Sequence, residues 1–132
     1  MRTLKIIGAF FLAGLLLILF YSFSSTQSVD LTDSGFSPNS IAILSNTKIT
    51  WINRDNSPNW PASDPHPIHT QYPSHNKGCI GSILDSCRGL NKGEVYSFIF
   101  DQVGIWGLHD HLFHSHTMTI KVYGNYLSLI KG

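Results

Sequence analysis

The sequence predicts an all-β sandwich behind an apolar N-terminal segment. After residue 25 the chain consists of short strand-like runs separated by turn residues, and it shows no heptads, repeats or long helical periodicity. A chain of 132 residues has room for one domain of ordinary size plus a targeting segment. We therefore expect residues 1–25 to be a membrane anchor or signal segment and residues 26–132 to form a single domain.

The N-terminal segment is an almost wholly apolar run from Ile6 to Phe23, preceded by Arg2 and Lys5. An apolar helix of about 20 residues spans a bilayer, whereas the apolar region of a signal peptide has about 7 to 15 residues. The length favours a retained anchor, and a cleaved signal is the alternative. Because basic residues keep the N-terminus in the cytoplasm, either reading predicts an extracytoplasmic domain, periplasmic or at the cell surface.

The charge of the expected domain excludes one class of partner. Without Arg2 and Lys5, seven basic and eight acidic residues remain, which gives a net charge of −1. Binding to nucleic acid depends on basic residues that neutralise phosphates. We therefore expect no nucleic-acid partner.

Six strands are predicted, at 28–31, 40–44, 48–53, 95–100, 104–109 and 117–123. Apolar residues alternate most clearly in the fourth and the last of them, as expected for strands with one buried face. The alternating residues are Tyr96, Phe98 and Phe100 in one strand and Met118, Ile120 and Val122 in the other. Several such strands in about 100 residues indicate a two-sheet sandwich around one core.

The interval 55–88 interrupts this pattern with five prolines, three histidines and both cysteines. Loops of more than about 15 residues are uncommon in compact domains and are often functional. We therefore expect an ordered functional loop. In an extracytoplasmic compartment Cys79 and Cys87 are candidates for a disulfide, and the alternatives are a thiolate metal ligand or a free redox pair.

All seven histidines lie between residues 66 and 116, in two groups. Imidazole is the commonest transition-metal ligand, and residues i and i+2 of a strand share a face, so His109 and His111 can converge on one ion. His66 and His69 supply two further ligands if the proline-rich loop folds over the end of that strand. His114 and His116 either join this site, form a weaker second one or are solvated, and His75 is expected to be solvated.

Few carboxylates accompany these histidines, Asp64 and Asp110 being the closest in sequence. A nitrogen-rich donor set suits copper or zinc better than calcium, magnesium or manganese. Asp110 is predicted to accept a hydrogen bond from a ligating imidazole; direct ligation and the capping of a turn are the alternatives.

A succession of short motifs over residues 28–122 resembles the cupredoxin family of plastocyanin-like copper domains. This resemblance implies a Greek-key two-sheet sandwich and a copper site. The motifs are Gly35-Phe36-Ser37-Pro38, Thr50-Trp51-Ile52-Asn53-Arg54-Asp55, Leu90-Asn91-Lys92-Gly93-Glu94, Gly104-Ile105-Trp106 and Ile120-Lys121-Val122.

The copper ligands of the blue members of that family are not retained. The resemblance implies His, Cys, His and Met at positions that here are Asn59, Asp110, Phe113 and His116. The sequence is more similar to a subgroup with a W-P-A-S-x-x-H-P-x-H loop and an H-[DN]-H-L strand end, which match residues 60–69 and 109–112. That likeness implies an all-imidazole copper site made of the same four histidines.

The favoured function is therefore a membrane-tethered copper-binding protein that stores, scavenges or passes copper, or carries electrons to a protein partner. A metalloenzyme, or the electron donor of an oxidase, is a second hypothesis, although no triad-like catalytic pattern is present. A third is an interaction module that has kept the fold and lost the metal, with Trp60 and Tyr72 of the long loop as contacts to a partner. For Trp60 the favoured alternative is burial against the core.

Overall fold

A computed structural model describes residues 26–124, which fold into eight strands. The strands are β1 (Thr26–Thr32), β2 (Gly35–Ser37), β3 (Ser40–Leu44), β4 (Thr47–Asn53), β5 (Pro61–Ser63), β6 (Val95–Phe100), β7 (Gly104–Asp110) and β8 (Thr117–Tyr123). No helix occurs within this described part of the chain. The predicted all-β class is therefore confirmed for residues 26–124.

The strands form two four-stranded sheets, in the orders β2-β1-β4-β6 and β3-β8-β7-β5. Parallel pairing joins β1 to β4 and β3 to β8, and the other neighbours are antiparallel. The parallel pair β3–β8 sets Ser40 opposite Thr119. Each sheet therefore combines segments that are distant in the sequence.

The core lies between the two sheets and is filled by the alternating apolar residues. In β8, Met118, Ile120 and Val122 are buried, as their period of two predicts. Trp51 of β4 is fully buried, and its ring stacks on that of Tyr96 with centroids 5.4 Å apart. These contacts complete the two-sheet sandwich that the sequence predicts.

Two strands are absent from the sequence prediction, because each has only three residues and shows no alternation. One is β2. The other, β5, lies inside the proline-rich loop and pairs antiparallel with β7, so that Ala62 lies opposite His109. This short pairing brings the loop to the strand that carries the second histidine group.

The rest of the proline-rich loop is held to the sandwich by buried contacts. Tyr72 is buried, and its hydroxyl donates a hydrogen bond to Asp101 at 2.7 Å. Backbone hydrogen bonds from Ser63 N to Leu84 O and from Ser86 N to Pro61 O tie the end of the loop to β5. The suggestion that Tyr72 is an exposed partner contact is therefore wrong, because its side chain is part of the core.

The predicted membrane-directed segment, residues 1–25, lies outside the described residues, as do residues 125–132. Across 26–124, no helix has the length and apolar character needed to cross a membrane.

Candidate metal centre

Four imidazoles meet at one end of the second sheet. His109 is in β7, His111 directly follows that strand, and His66 and His69 lie in the turns after β5. One nitrogen from each of the four lies within 4.8 Å of the others. Ligands on opposite sides of a first-row ion are about 4 Å apart, since each metal–nitrogen bond is about 2.0 Å. The cluster therefore has nearly the size of a single-ion site.

The contacts between β5 and β7 bring the two groups together. His111 N donates to Trp60 O at 2.8 Å, and Asp64 N donates to Gly107 O at 3.0 Å, so the loop follows β7 on both sides of β5. A Cβ atom at Gly107 would collide with the carboxylate of Asp64. Glycine at this position therefore allows the loop to approach β7 closely.

His69 is the most constrained of the four histidines. Its side chain is fully buried, and its backbone adopts the left-handed conformation with φ of 52°. Nδ1 contacts Asp85 Oδ2 at 2.6 Å, and Nε2 is 2.8 Å from Nδ1 of His111. With its Nδ1 proton donated to Asp85, His69 directs the Nε2 lone pair into the cluster. An unfavourable backbone conformation kept at such a position is typical of functional sites.

His109 is the second buried member of the cluster. Its Nδ1 contacts Asp64 Oδ1 at 2.9 Å, so this carboxylate orients the ring as Asp85 orients His69. Its Nε2 is buried and has no hydrogen-bond partner within residues 26–124. A buried polar atom without a partner is costly, and a bound ion satisfies it. This nitrogen, together with the donor set around it, fits a transition metal.

His66 and His111 form the outer part of the cluster. His66 is exposed, whereas His111 is half-buried, with its ring centroid 4.5 Å from that of Trp60. Desolvation lowers the pKa of His66, and the nearby His111, His109 and His114 lower it further. The pKa of His111 is lowered chiefly by desolvation and then by His69 and His109. Both imidazoles are therefore neutral at neutral pH, which is the form that binds a metal.

These lowered pKa values predict how the stability of the metal-free protein depends on pH. Below the unfolded-state pKa of about 6.5, the unfolded chain binds protons that the folded chain rejects, so stability decreases with acidification. The decrease ends once the pH is below the folded-state pKa values of His66 and His111. Urea unfolding from pH 7.5 to 5, with a chelator present, measures it.

The control for this prediction is the variant His66→Gln/His111→Gln. It lacks both groups, so we expect a shallower loss of stability than in the wild type over the same pH range. The same slope in both proteins would contradict the assignment.

Two residues that organise the cluster were not identified from the sequence. Asp85 is buried and contacts His69, while its Oδ1 accepts from the Trp60 indole at 2.6 Å and from the backbone N–H of Cys87 at 2.7 Å. Trp60 also packs on His111. Asp85 stands 16 residues after His69 in irregular chain and carries no spacing signal. The Trp-Pro-Ala-Ser motif marks the position of Trp60 but not its role.

The two cysteines lie beside this network and are joined to each other. The structure has a Cys79–Cys87 disulfide, and the carboxylate of Asp85 is close to both sulfurs. Both cysteines are exposed. Among the described residues, therefore, no thiolate is available to the four histidines.

Comparison with solved structures identifies the architecture. A purple cupredoxin from Nitrosopumilus maritimus is similar over 74% of this chain and 99% of its own, with a TM-score of 0.58 and 17% identity. A reduced amicyanin mutant is similar over 74% and 82%, with a TM-score of 0.56 and 16% identity. The fold is that of the cupredoxins. Comparison with family models and with curated proteins gives no match.

A cupredoxin domain of this kind also occurs within a larger enzyme. A Cu-containing nitrite reductase from Thermus scotoductus is similar over 74% of this chain, with a TM-score of 0.59 and 17% identity. The similar region is only 22% of the reductase chain. At these identities the similarity establishes the cupredoxin fold.

The positions that hold the blue-copper ligands by family resemblance are occupied differently in this cupredoxin fold. Asn59 is buried, and its amide nitrogen donates to Asn53 Oδ1 and Ser57 O, both at 3.1 Å. His116 stacks on Phe113, and its Nδ1 is buried without a hydrogen-bond partner in the described part of the chain. Neither belongs to the four-histidine group, so His116 does not join the predicted site.

Asp110 does not bind a ligating imidazole. It is buried, and its Oδ1 accepts backbone N–H groups from Trp60 at 3.0 Å and from Leu112 at 2.9 Å. Successive strand residues point to opposite faces, so Asp110 points away from the side that carries its neighbour His109. The structure thus corrects the expected role: Asp110 fixes the turn after β7, and Asp64 and Asp85 contact the imidazoles.

The two remaining histidines are both exposed. His114 lies in the turn between β7 and β8, with its ring stacked on that of His66 at a centroid distance of 5.2 Å. His75 lies in the proline-rich loop and makes no ring contact with another histidine among the described residues.

Proposed function

We propose that this protein is an extracytoplasmic copper-binding protein that holds one ion with His66, His69, His109 and His111 and passes it on. The observation that carries the proposal is the convergence of one imidazole nitrogen from each of four histidines within 4.8 Å, and it is joined by the buried Nε2 of His109, which has no hydrogen-bond partner among residues 26–124.

The donor set favours copper over other ions. Four imidazoles suit copper or zinc, and the neighbouring carboxylates of Asp64 and Asp85 are engaged with ring nitrogens rather than free for a hard cation. Divalent copper binds a given nitrogen site more tightly than zinc. The reductase with the same fold is described as Cu-containing, which further favours copper, with zinc as the competitor to be tested.

The surroundings of the cluster favour copper handling over electron transfer or catalysis. Bound copper supplies a one-electron redox couple and an exchangeable cation. Blue-copper electron-transfer sites depend on a thiolate ligand, whereas both described cysteines are in a disulfide. His69 and His109 are fixed by carboxylates, while His66 is exposed, so the site holds its ion at one side and presents it at the other.

The disulfide also supports the proposed compartment. Disulfides persist in extracytoplasmic spaces and are rare in a reducing cytosol. The Cys79–Cys87 bridge therefore agrees with export directed by the N-terminal segment and with attachment to the membrane through it. A protein partner that delivers or accepts copper completes the proposal.

The test is titration of the purified full chain with copper and with zinc, followed by electron paramagnetic resonance of the copper(II) form. We expect one copper per chain, a signal with nitrogen hyperfine structure and no intense thiolate-to-copper absorption. Both binding and signal should be lost in His109→Ala/His111→Ala and kept in His75→Ala. No stoichiometric binding would reject the proposal in favour of a metal-free interaction module, and preferential zinc binding would reject copper.

A further inference from the structure

The four-histidine cluster has an inner and an outer side that differ in their packing. The inner imidazoles, His69 and His109, are buried, and each is held by a carboxylate within 2.9 Å. The outer imidazoles are His66, which is exposed and whose side chain makes no hydrogen bond among the residues that the structure describes, and the half-buried His111. Of the four imidazoles, His66 is the most exposed, so an arriving ion or molecule meets the cluster most readily on its side.

A fifth imidazole lies at this open side. The ring of His114 is nearly parallel to that of His66, at 25°, with the centroids 5.2 Å apart, close to the 4.7 Å between His66 and His111. Like His66, His114 is exposed, and within residues 26–124 its side chain makes no hydrogen bond. His114 is thus a free nitrogen donor beside the exposed edge of the cluster.

Resting on the proposed function, we infer that His114 and His66 form an outer, transient copper site through which the ion enters and leaves the cluster. A ligand that is exposed and not fixed by hydrogen bonds rotates easily, so it binds an arriving ion before the buried ligands do. On release, a bond from the ion to His114 forms before the bonds to the inner imidazoles break.

An exchange ligand and a resident ligand affect different quantities, the rate of copper exchange and the copper affinity at equilibrium. Removing an exchange ligand raises the barrier for loading and for release alike, and leaves the dissociation constant nearly unchanged. Removing a resident ligand weakens the affinity itself. His114→Ala is suitable for this test because the side chain is exposed and its removal leaves the core intact.

The experiment measures, on the full chain, the rate of copper(II) uptake and the rate of copper removal by excess EDTA, both by stopped flow. For His114→Ala we expect both rates to fall about tenfold, while the dissociation constant stays within about threefold of the wild-type value. The paramagnetic spectrum should be unchanged. His75→Ala, the matched control in the proline-rich loop, should keep both rates.

Two results would overturn the inference. Unchanged rates in His114→Ala would show that the ion does not pass by this residue. A large loss of affinity with an altered spectrum would make His114 a resident ligand instead. Failure of the proposed function gives a different result, because the wild-type chain would then bind no copper at all.

Discussion

Copper at a free concentration a thousand times its dissociation constant should raise the free energy of unfolding by about 4 kcal/mol. The reason is that the ligands come from two segments, 66–69 and 109–111, which only the folded chain brings together. An ion that binds the native state alone stabilises it by mass action. Urea unfolding at pH 7.5, with copper and with a chelator, measures the difference.

The controls separate the cluster from weak surface binding. His109→Ala/His111→Ala should lose the copper-dependent gain when each variant is compared with its own metal-free form, whereas His75→Ala should keep it. If no first-row metal shifts the unfolding curve of the wild type, the proposed site is excluded.

Asp85→Asn should lower the copper affinity by about 10- to 100-fold, the usual range for loss of a carboxylate that orients a metal-binding imidazole. The substitution keeps the shape of the side chain and removes its charge. Asp85 is buried, and the same carboxylate serves His69, Trp60 and Cys87, so water cannot easily replace it. Competition for copper with a chelator of known affinity measures the change.

Two further variants serve as comparisons for the copper affinity of Asp85→Asn. Asp64→Asn should have a smaller effect, because the Asp64 side chain is 34% exposed and solvent can replace part of its contact with His109. Asp33→Asn should have no effect, because Asp33 lies at the surface and accepts a hydrogen bond from its neighbour Ser34, outside the histidine cluster. Asp85→Asn with wild-type affinity would show that the orientation of His69 does not depend on this carboxylate.

The sequence predicts the sandwich and the pair His109 and His111 for physical reasons that are local. The alternation of apolar residues in β8 shows which face of the strand is buried. Because residues i and i+2 of a strand lie on the same face, the spacing of His109 and His111 places both side chains on one side. Even here the strand ends at Asp110, so His111 reaches the cluster from just beyond it. The grouping of His66 and His69 with them depends on the short strand β5, which no local pattern reveals.

The surroundings of the histidines were beyond prediction because they depend on how distant segments pack. The sequence marks Asp64 only as a carboxylate close to the first histidine group. Asp85 reaches His69 because the end of the proline-rich loop returns along β5 through Leu84 and Ser86. Asp110, which is adjacent to two histidines in the sequence, is separated from them by the alternation of the strand.

The parallel pairing of β3 with β8 also bears on when the protein can acquire metal. Bringing together residues as far apart in the sequence as Ser40 and Thr119 costs chain entropy before their contacts are gained. Topologies with many such pairings therefore fold slowly. A nascent chain cannot close the second sheet until β8 has been synthesised. Under the proposed function, we therefore expect copper to enter only after that point, when its ligands are already assembled.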